Sequence, residues 1–424
     1  MSSAAASFFD LTNDNSALWK KTSYPTKNIV ENVLYSGHLL KMSKKAKAFK
    51  PKHFVLTSAQ LLYTKKMTSR TVYGALELNW TRVYFNDKLE NNEPANLIVF
   101  VRNGKYTQFI VEDAAEFTHW RQMLQKVCIC ATFTEDYDIR KVLGQGSFAY
   151  VYLTKRRANA KRYATKVLNK DLFANEMHRN SLIGEIEVLK ALNHPNIIKL
   201  EQVYESKVNV YLVMEYAGSV TLLTKIKNKH VFALDEFKLV LRQLASCLVN
   251  LSSKNIVHKD IKPSNIIAVE RKDKSIAGIK LIDFGLATYA HDDKSNFVGG
   301  TPGFMAPETL ASDTRAAHKA TGAADVFAVG ATVYQMMYGV TPFGANNSQK
   351  SLHFGEECSV DFDGKQEQEM APLQQLLKEM LADDPLKRIR AEDILRHPFL
   401  NEDPSAIAQR TLCVLTANLS DKAD

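Results

Sequence analysis

Two short polar clusters in the second half of the chain contain the residue types that phosphate transfer requires. The first, HKDIKPSN, includes Asp260, Lys262 and Asn265, and the second, DFG, begins at Asp283, eighteen residues after Asn265. Asp260 can accept the proton of a hydroxyl group, and Lys262 can steady a transferring phosphate. Asn265 and Asp283 offer the hard oxygen ligands that suit Mg²⁺. Taken singly, each is more often a turn or surface residue, so the ordered spacing carries the prediction.

A glycine-containing turn lies upstream, between two strand-like runs. It reads LGQGSFAYV and comprises Leu143, Gly144, Gln145, Gly146, Ser147, Phe148, Ala149, Tyr150 and Val151. Glycine lets backbone N–H groups approach phosphate oxygens because no Cβ intervenes. The turn predicts nucleotide phosphate binding, with the small Ala149 where such patterns usually carry a third glycine. A G-x-G pair alone also marks many ordinary turns, so it needs support from other motifs.

A lysine and a glutamate predict the ion pair that would aim a cation at those phosphates. Lys166 interrupts the strand-like run YATKVL, and a lysine on a buried strand needs a charged partner. Residues 182–192 predict a helix whose apolar face also carries Glu185, whereas Glu187 points elsewhere. A Lys166–Glu185 pair would orient the ammonium toward the α- and β-phosphates. The alternative is two unrelated charges whose stems reach water.

Together these motifs resemble the eukaryotic protein kinase family of the Ser/Thr class. The ordered set GxGxxA, ATK, HKDIKPSN, DFG and GTPGFMAPE spans residues 137–400 and is highly specific. The resemblance implies an α+β, two-lobed kinase fold that uses ATP and Mg²⁺ and acts on protein substrates. It assigns catalysis to Asp260, Lys262, Lys166 and Glu185, metal binding to Asn265 and Asp283, and further nucleotide contacts to Ala164, Met214, Glu215, Ala217 and Ile267.

The same resemblance implies three structural supports for the site. Glu308 should pair with Arg388, and Asp325 should anchor the catalytic loop from a buried helix. A hydrophobic spine should include Leu189, Leu200, His258 and Phe284. Thr301 falls where Ser/Thr kinases place a hydroxyl near the equivalents of Asp260 and Lys262. Thr301 and Lys262 are the basis for predicting serine and threonine rather than tyrosine as acceptors.

The regulatory residues depart from the family pattern. The usual H-R-D reads His258-Lys259-Asp260, and lysine lacks the bidentate fork of the arginine that normally binds a phosphate on the activation loop. Phe297 stands where the cyclic-nucleotide and Akt-type kinases carry an activating threonine, and Thr288, Tyr289 and Ser295 are not obvious switches. Ser264 and the 220–221 region lack the acids of arginine-directed relatives, which predicts weak arginine preference in substrates.

Residues 34–130 resemble a pleckstrin homology (PH) domain, a small β-barrel with a C-terminal capping helix. Strand-like runs recur from residue 35 to 111, and Asp113 is a plausible N-cap for a helix that bears Trp120. Lys41, Lys50, Lys52 and Tyr63 resemble the basic signature that binds phosphoinositide head groups. Lysine at position 52, where strong binders place arginine, predicts a weaker grip.

The rest of the chain predicts the domain organisation. Residues 1–33 predict a flexible extension, residues 131–136 a linker, and residues 401–424 a C-terminal tail without an F-x-x-F motif. The order, PH then kinase, resembles the Akt (protein kinase B) family. So short a linker predicts a PH domain that lies beside the N-terminal lobe and restrains the kinase until a lipid or partner draws it away.

Composition limits the partners and the compartment. Residues 31–130 contain 15 Lys/Arg and 8 Asp/Glu, so +7 of the net charge of +9 lies there and favours an anionic partner. Five scattered cysteines and no 18-residue apolar run predict a reduced cytoplasmic protein with peripheral membrane recruitment. The alternative reading is a catalytically silent lipid-binding scaffold. A nucleic-acid-binding module is disfavoured because the lysines lack interleaved stacking aromatics.

Overall fold

The structure is a computed structural model that describes eleven stretches of the chain. They are residues 7–10, 18–25, 32–42, 49–65, 71–88, 94–146, 149–173, 175–290, 299–309, 321–342 and 364–401. The chain divides into two compact units. The first unit comprises residues 1–179 and 200–216, and the second comprises residues 180–199 and 217–424. Mixed helices and strands give the α+β class that the sequence predicts.

In the residues that the structure describes, fourteen strands belong to the first unit and four short ones to the second. They are β1 Trp19–Pro25, β2 Val33–Met42, β3 Phe49–Thr57, β4 Gln60–Thr64, β5 Thr71–Glu77, β6 Arg82–Asn86, β7 Leu97–Arg102, β8 Lys105–Ile110, β9 Ile129–Cys130, β10 Tyr137–Gln145, β11 Ala149–Arg156, β12 Arg162–Asn169, β13 Leu200–Glu205, β14 Asn209–Glu215, β15 Ile256–Val257, β16 Ile266–Glu270, β17 Ile276–Leu281 and β18 Thr288–Tyr289.

The α-helices lie mostly in the second unit. They are α1 Ala114–Val127, α2 Phe133–Asp136, α3 Glu176–Ala191, α4 Leu222–Lys227, α5 Leu234–Ser253, α6 Gly322–Tyr338, α7 Gly364–Met380, α8 Ala391–Ile394 and α9 Pro398–Asn401. Short 3₁₀ turns occupy Lys170–Phe173, Pro263–Asn265 and Pro307–Thr309. None of the helices in the described part of the chain is long and apolar enough to span a membrane.

The predicted PH region forms an antiparallel array closed by α1. Strands β2 to β5 follow one another as neighbours, and β8, β7 and β6 continue from the other edge of β2. The Asp113 carboxylate caps α1 by accepting a hydrogen bond from the Glu116 N–H at 2.8 Å, as predicted. Trp120 is fully buried on the apolar face of α1 and belongs to the core.

Part of the predicted flexible extension is ordered. Strand β1 pairs antiparallel with β5, and Trp19 lies against Gly74, where even a Cβ would not fit. Segment Ser7–Asp10 is also packed, with Phe9 only 2% exposed. The prediction of a mobile stretch over residues 1–33 is therefore wrong for these two described parts. Their stability depends on partners far away in sequence, which a local pattern does not reveal.

The predicted linker is part of the core. Strand β9 pairs in parallel with β6 on one side and with β13 on the other, so one sheet continues from the PH strands to strands β10–β14. Helix α2 then buries Phe133, which stacks on Tyr137 and Tyr211 at ring-centroid distances of 5.4 and 4.2 Å. The segment predicted as a linker is thus ordered, because Phe133 anchors it in the core.

A buried polar network crosses the same junction. The Asp136 carboxylate accepts hydrogen bonds from Arg121 at 2.9 Å, Gln125 at 2.9 Å and Tyr204 at 2.7 Å. Burial and the nearby Cys130 and Asp136 raise the pKa of Tyr204, so its hydroxyl stays protonated and donates. Gln202 accepts from Tyr137 at 2.6 Å. Arg121 and Gln125 lie on α1, whereas Tyr204 lies on β13, so specific hydrogen bonds join the two halves of this unit.

The second unit is built around α5 and α6. Helix α6 is buried along most of its length, and α5 presents an apolar face from Phe237 to Leu251. Two short antiparallel pairs, β16 with β17 and β15 with β18, lie in this unit. The loop from β15 to β16 carries the HKDIKPSN motif, and the DFG motif follows β17. Both polar motifs therefore emerge from buried apolar strands, which hold their backbones in place.

Candidate active site

The glycine-containing turn joins β10 to β11 in the first unit. The Gly146 N–H donates to the Ala149 carbonyl at 2.8 Å, which closes the turn. Gly144 meets nothing within 4 Å where a Cβ would be, so its backbone is open on that side. Ser147 and Phe148 lie outside the described residues. The other predicted residues lie at the end of β10 or just after it, Leu143 to Gly146, and at the start of β11, Ala149 to Val151.

Strand β12 brings several predicted nucleotide residues into register. Lys166 lies opposite Val151 of β11 on one side and Leu212 of β14 on the other. Ala164 lies opposite Met214, and Glu215 ends β14 one position further along. The Lys166 side chain is partly buried in the middle of the sheet. The sheet thus brings together those predicted nucleotide-binding residues that lie in the first unit. The register between their strands could not be read from the sequence alone.

Helix α3 carries Glu185 on its buried face. Leu182, Ile186 and Leu189 are buried on that helix, and Glu185 is only 5% exposed, while Glu187 is exposed. This confirms the predicted orientation of Glu185. A buried carboxylate is costly unless a cation or several donors compensate it. The pairing of Glu185 with Lys166 remains a prediction.

Three side chains of the second unit converge on the Asp260 carboxylate. Lys262 Nζ donates to Asp260 Oδ2 at 2.7 Å, and Thr301 Oγ1 donates to Oδ1 at 2.6 Å. Lys262 Nζ also donates to Thr301 Oγ1 at 2.6 Å. Asn265 Nδ2 donates to Asp260 Oδ2 at 3.0 Å and to its backbone carbonyl at 2.9 Å. The carboxylate is therefore held in one orientation, and Oδ1 retains a lone pair for a further donor.

The same contacts leave the Asn265 side-chain carbonyl as the oxygen that can bind a cation. Its amide nitrogen donates to Asp260, so only the amide oxygen is available as a metal ligand. Asp283 adopts a positive φ of 61°, a backbone conformation that Asp tolerates better than most residues. In the described part of the chain no three His, Cys, Asp or Glu side chains form a metal cluster. A Mg²⁺ site built from Asn265 and Asp283 suits a cation that phosphate oxygens also ligate.

Asp325 anchors the catalytic loop, as predicted. This fully buried carboxylate of α6 accepts the His258 N–H at 2.7 Å and the Lys259 N–H at 3.0 Å. Lys259 has a φ of 68°, so the chain bends sharply there. The N–H groups of His258 and Lys259 both point toward Asp325. Burial raises the pKa of Asp325, whereas His258 and the two N–H donors lower it. Burial lowers the pKa of His258, whose ring lies 4.6 Å from that of Phe284.

A second buried charge supports the segment that carries Thr301. Arg388 is buried and binds Glu308 through both terminal nitrogens, at 2.6 and 2.9 Å. It also donates to the backbone carbonyls of Ala323 and Ala382. The predicted Glu308–Arg388 pair is thus confirmed, and its bidentate geometry suits arginine better than lysine. It links the APE motif to the start of α6, where Asp325 also lies.

The predicted nucleotide residues Ala217 and Ile267 belong to neighbouring parts of the second unit. Gly218 has a φ of 120°, and a Cβ there would lie 3.6 Å from the Ile267 side chain. Thr221 forms an isolated bridge with Ile267, so the chain after Ala217 runs against β16. Thr288 and Tyr289 form β18 and pair with β15. Ser295 and Phe297 lie outside the described residues.

The four predicted lipid-binding residues share one face of the PH sheet. Lys41 lies directly opposite Lys50, and Tyr63 lies opposite Phe54, two residues after Lys52. Because side chains alternate between faces along a strand, these positions point the same way. Lys52 Nζ lies 4.5 Å from the Tyr63 ring centroid.

Sequence reasoning missed Trp19 at this place. Lys41 Nζ lies 3.9 Å from the Trp19 ring centroid, the shortest such contact of the lysines on this face. The clue was a single tryptophan next to two lysines in a stretch without periodicity. Such a residue looks like part of a loop until its pairing strand, β5, is known.

Comparison with known proteins agrees with these two regions. The protein kinase domain family matches residues 137–400, and the PH domain family matches residues 33–129. The chain is 33% identical to the mouse serine/threonine-protein kinase DCLK3 over 288 residues, which is 66% of this chain and 35% of that protein. It is 32% identical to a probable myosin light chain kinase of Dictyostelium discoideum over 270 residues, 63% of this chain and 84% of that protein.

A third relative is the human serine/threonine-protein kinase ULK1, 32% identical over 280 residues, which is 64% of this chain and 26% of that protein. The matched part of the chain thus spans about a third or less of DCLK3 and ULK1 and most of the Dictyostelium kinase. The chain belongs to the protein kinase family, within the serine/threonine class of these relatives, and carries a PH domain ahead of its kinase domain.

Proposed function

We propose that this protein transfers the γ-phosphoryl group of ATP to serine and threonine hydroxyls of protein substrates. The observation that carries the proposal is the cluster in which Lys262, Thr301 and Asn265 all bind Asp260. The names of the relatives, all serine/threonine kinases or a myosin light chain kinase, support the same acceptor class. The domain limits that go with the proposal are 34–130 for the PH domain and 137–400 for the kinase domain.

Asp260 and Lys262 account for the chemistry at the acceptor. The hydroxyl oxygen of the substrate forms a bond to the γ-phosphorus, and the bond from that phosphorus to the oxygen bridging to the β-phosphate breaks. Asp260 takes the hydroxyl proton, and ADP leaves with the bridging oxygen. Lys262, held between Asp260 and Thr301, places a positive charge where the phosphoryl oxygens pass.

The nucleotide contacts follow from the same family assignment. The proposal assigns the phosphates to the turn of Gly144 and Gly146 and to Lys166, oriented by Glu185, and the adenine to Ala164, Met214, Glu215, Ala217 and Ile267. Asn265 and Asp283 would hold Mg²⁺, which neutralises charge on the phosphate oxygens. Their oxygen donors fit that cation better than a soft transition metal.

A degenerate peptide library tests the acceptor class and the metal. We expect the full chain with Mg-ATP to phosphorylate serine and threonine peptides, not tyrosine peptides, with weak selection for upstream arginine. Chelation of Mg²⁺ and the Asp283→Asn variant should each lower transfer at least about 10²-fold, because the charge of the phosphates is then uncompensated. Asp283→Asn keeps a residue that tolerates the positive φ. If the wild-type protein transfers no phosphate to any peptide, the alternative of a catalytically silent scaffold would be favoured.

For the PH domain we propose binding of phosphoinositide head groups and hence peripheral recruitment to membranes. Lys41, Lys50 and Lys52 project from one face of adjacent strands, so three ammonium groups can meet clustered phosphates. The excess of basic residues over residues 31–130 supports an anionic surface as the partner. No nucleic acid is part of this proposal.

Vesicle binding tests the lipid proposal. We expect phosphoinositide vesicles to retain the full chain better than neutral vesicles. Lys50→Ala with Lys52→Ala should weaken this binding about 30-fold, since each lysine contributes about 1 kcal/mol at an anionic membrane. Lys105→Ala with Lys126→Ala removes two exposed lysines elsewhere in the domain and serves as the matched control. Equal retention on both kinds of vesicle would disprove lipid binding.

A further inference from the structure

Segment Ser7–Asp10 is fixed to the PH domain on one of its sides. The Phe9 ring stacks on Trp80, with ring centroids 5.1 Å apart and planes inclined by 15°. The Asp10 carboxylate accepts the Asn103 N–H at 2.7 Å through Oδ1 and the Ser7 N–H at 2.8 Å through Oδ2. The segment therefore has a defined backbone turn and a buried aromatic side chain, Phe9, that holds it against the PH domain.

On its other side the segment binds a buried carboxylate at the end of β13. Glu205 Oε2 accepts the Ser7 hydroxyl at 2.6 Å, and Oε1 accepts the Phe8 N–H at 2.7 Å. Lys170 Nζ also reaches Oε1, at 2.5 Å, from the 3₁₀ turn before α3. The Glu205 side chain is fully buried. A buried carboxylate that lost these donors would be strongly unfavourable, so Glu205 binds segment and turn together.

The segment also holds the first turn of α3. Arg179 Nη2 donates to the Asp10 backbone carbonyl at 2.5 Å, and the guanidinium lies 5.4 Å from the Phe8 ring centroid. Asn175 caps the helix, since its side-chain oxygen accepts the Met177 N–H at 2.8 Å. Glu185 follows Arg179 by six residues in the same helix, about 9 Å along its axis at 1.5 Å per residue.

We propose that segment Ser7–Asp10 is a positioning element for α3, acting through Arg179, with Glu205 as its second attachment. Holding the first turn stabilises α3, the helix that carries Glu185. A helix end without this support would fray, because its orphan N–H groups and first turn have the weakest internal bonding. The inference rests on the proposed function, in which Glu185 orients Lys166 toward the ATP phosphates. It concerns residues that do not themselves touch the nucleotide.

Hydrogen exchange in the full chain tests the structural half of the proposal without any activity. We expect Arg179→Ala and Phe8→Ala each to raise the exchange rates of α3 amides at least about 10-fold, while β10 to β12 keep their protection. Arg157→Ala is the matched control, since Arg157 pairs with Asp138 at an exposed site of the same unit. An unchanged rate in α3, or an equal rise throughout the unit, would overturn positioning by this segment.

Kinetics test the functional half. Arg179→Ala should lower kcat about 5- to 20-fold with little change in KM for peptide, because the acceptor site does not involve α3. Arg179→Lys keeps one donor for the Asp10 carbonyl and should restore part of the loss. Equal kcat for Arg179→Ala and wild type would refute the catalytic consequence. If the wild type itself transfers no phosphate, the proposed function fails, while hydrogen exchange still decides whether the segment supports α3.

Discussion

Replacing Asp260 with asparagine is expected to lower kcat by about 10²- to 10⁴-fold, the range that a positioned general base contributes. The amide cannot accept a proton from the substrate hydroxyl, and it loses the negative charge that holds Lys262 at 2.7 Å. Thr301 can still donate to the remaining carbonyl oxygen. The expected kinetic signature is a fall in kcat with a much smaller change in KM for ATP, since Asp260 is not assigned to nucleotide binding.

Stability should change far less than activity in this variant. Loss of a hydrogen bond to a charged group costs about 1.5–3 kcal/mol, which is below the usual free energy of unfolding of a domain. Asp273→Asn is the matched control, because Asp273 is an exposed carboxylate that accepts hydrogen bonds from the turn residue Ser275. Steady-state kinetics on the best library peptide and a thermal melt of each variant give the measurement. Retention of kcat within about fivefold in Asp260→Asn would remove Asp260 from the chemistry.

Deleting residues 1–131 is expected to unfold strands β10 to β14, here called the small kinase sheet, rather than to activate the enzyme. The deletion removes β9, which pairs with β13, and the α1 residues that bind Asp136. It also strips the apolar cover from a cluster that includes Phe133, Tyr137 and Tyr204. Baring half of three aromatic side chains, about 100 Å² each, costs about 7.5 kcal/mol at about 25 cal/mol per Å². That loss is comparable with the whole stability of a domain.

The deletion therefore separates two views of the PH domain. If the domain restrains the kinase and is drawn away by lipid, the truncated protein should be folded and at least as active as the full chain. If it completes the small sheet, the truncated protein should aggregate or melt well below the full chain. Thermal unfolding, solubility and peptide phosphorylation of both proteins distinguish these outcomes. The continuous sheet and shared core favour the second.

Point variants keep this test independent of the deletion. Phe133→Ala should cost about 3–5 kcal/mol, the usual range for a buried Phe to Ala change. Tyr106→Ala removes an aromatic side chain that is 64% exposed and should change stability by less than about 0.5 kcal/mol. A Phe133→Ala protein as stable as Tyr106→Ala would mean that the junction contributes little, and the integrated view would be wrong.

The kinase and PH assignments could be made from the sequence because their signals are local. The spacing of Asp260, Lys262 and Asn265 is confined to six residues, so no distant contact is needed to recognise it. The burial of Glu185 followed from helical periodicity alone, and the capping of α1 by Asp113 from a cap residue and its third neighbour. Family matching over residues 33–129 and 137–400 agrees with both regions.

The tertiary structure alone decided how the two regions are joined. Strand β9 has two residues, too few for any alternation of apolar and polar positions to show. Ser7 meets Glu205 across 198 positions of the chain, and Asp10 meets Arg179 across 169. Such contacts arise only when distant strands pair and bury their faces, so no local pattern contains them. The chemistry around Asp260 is thus a property of the sequence, whereas the support of the small sheet and of α3 is a property of the fold.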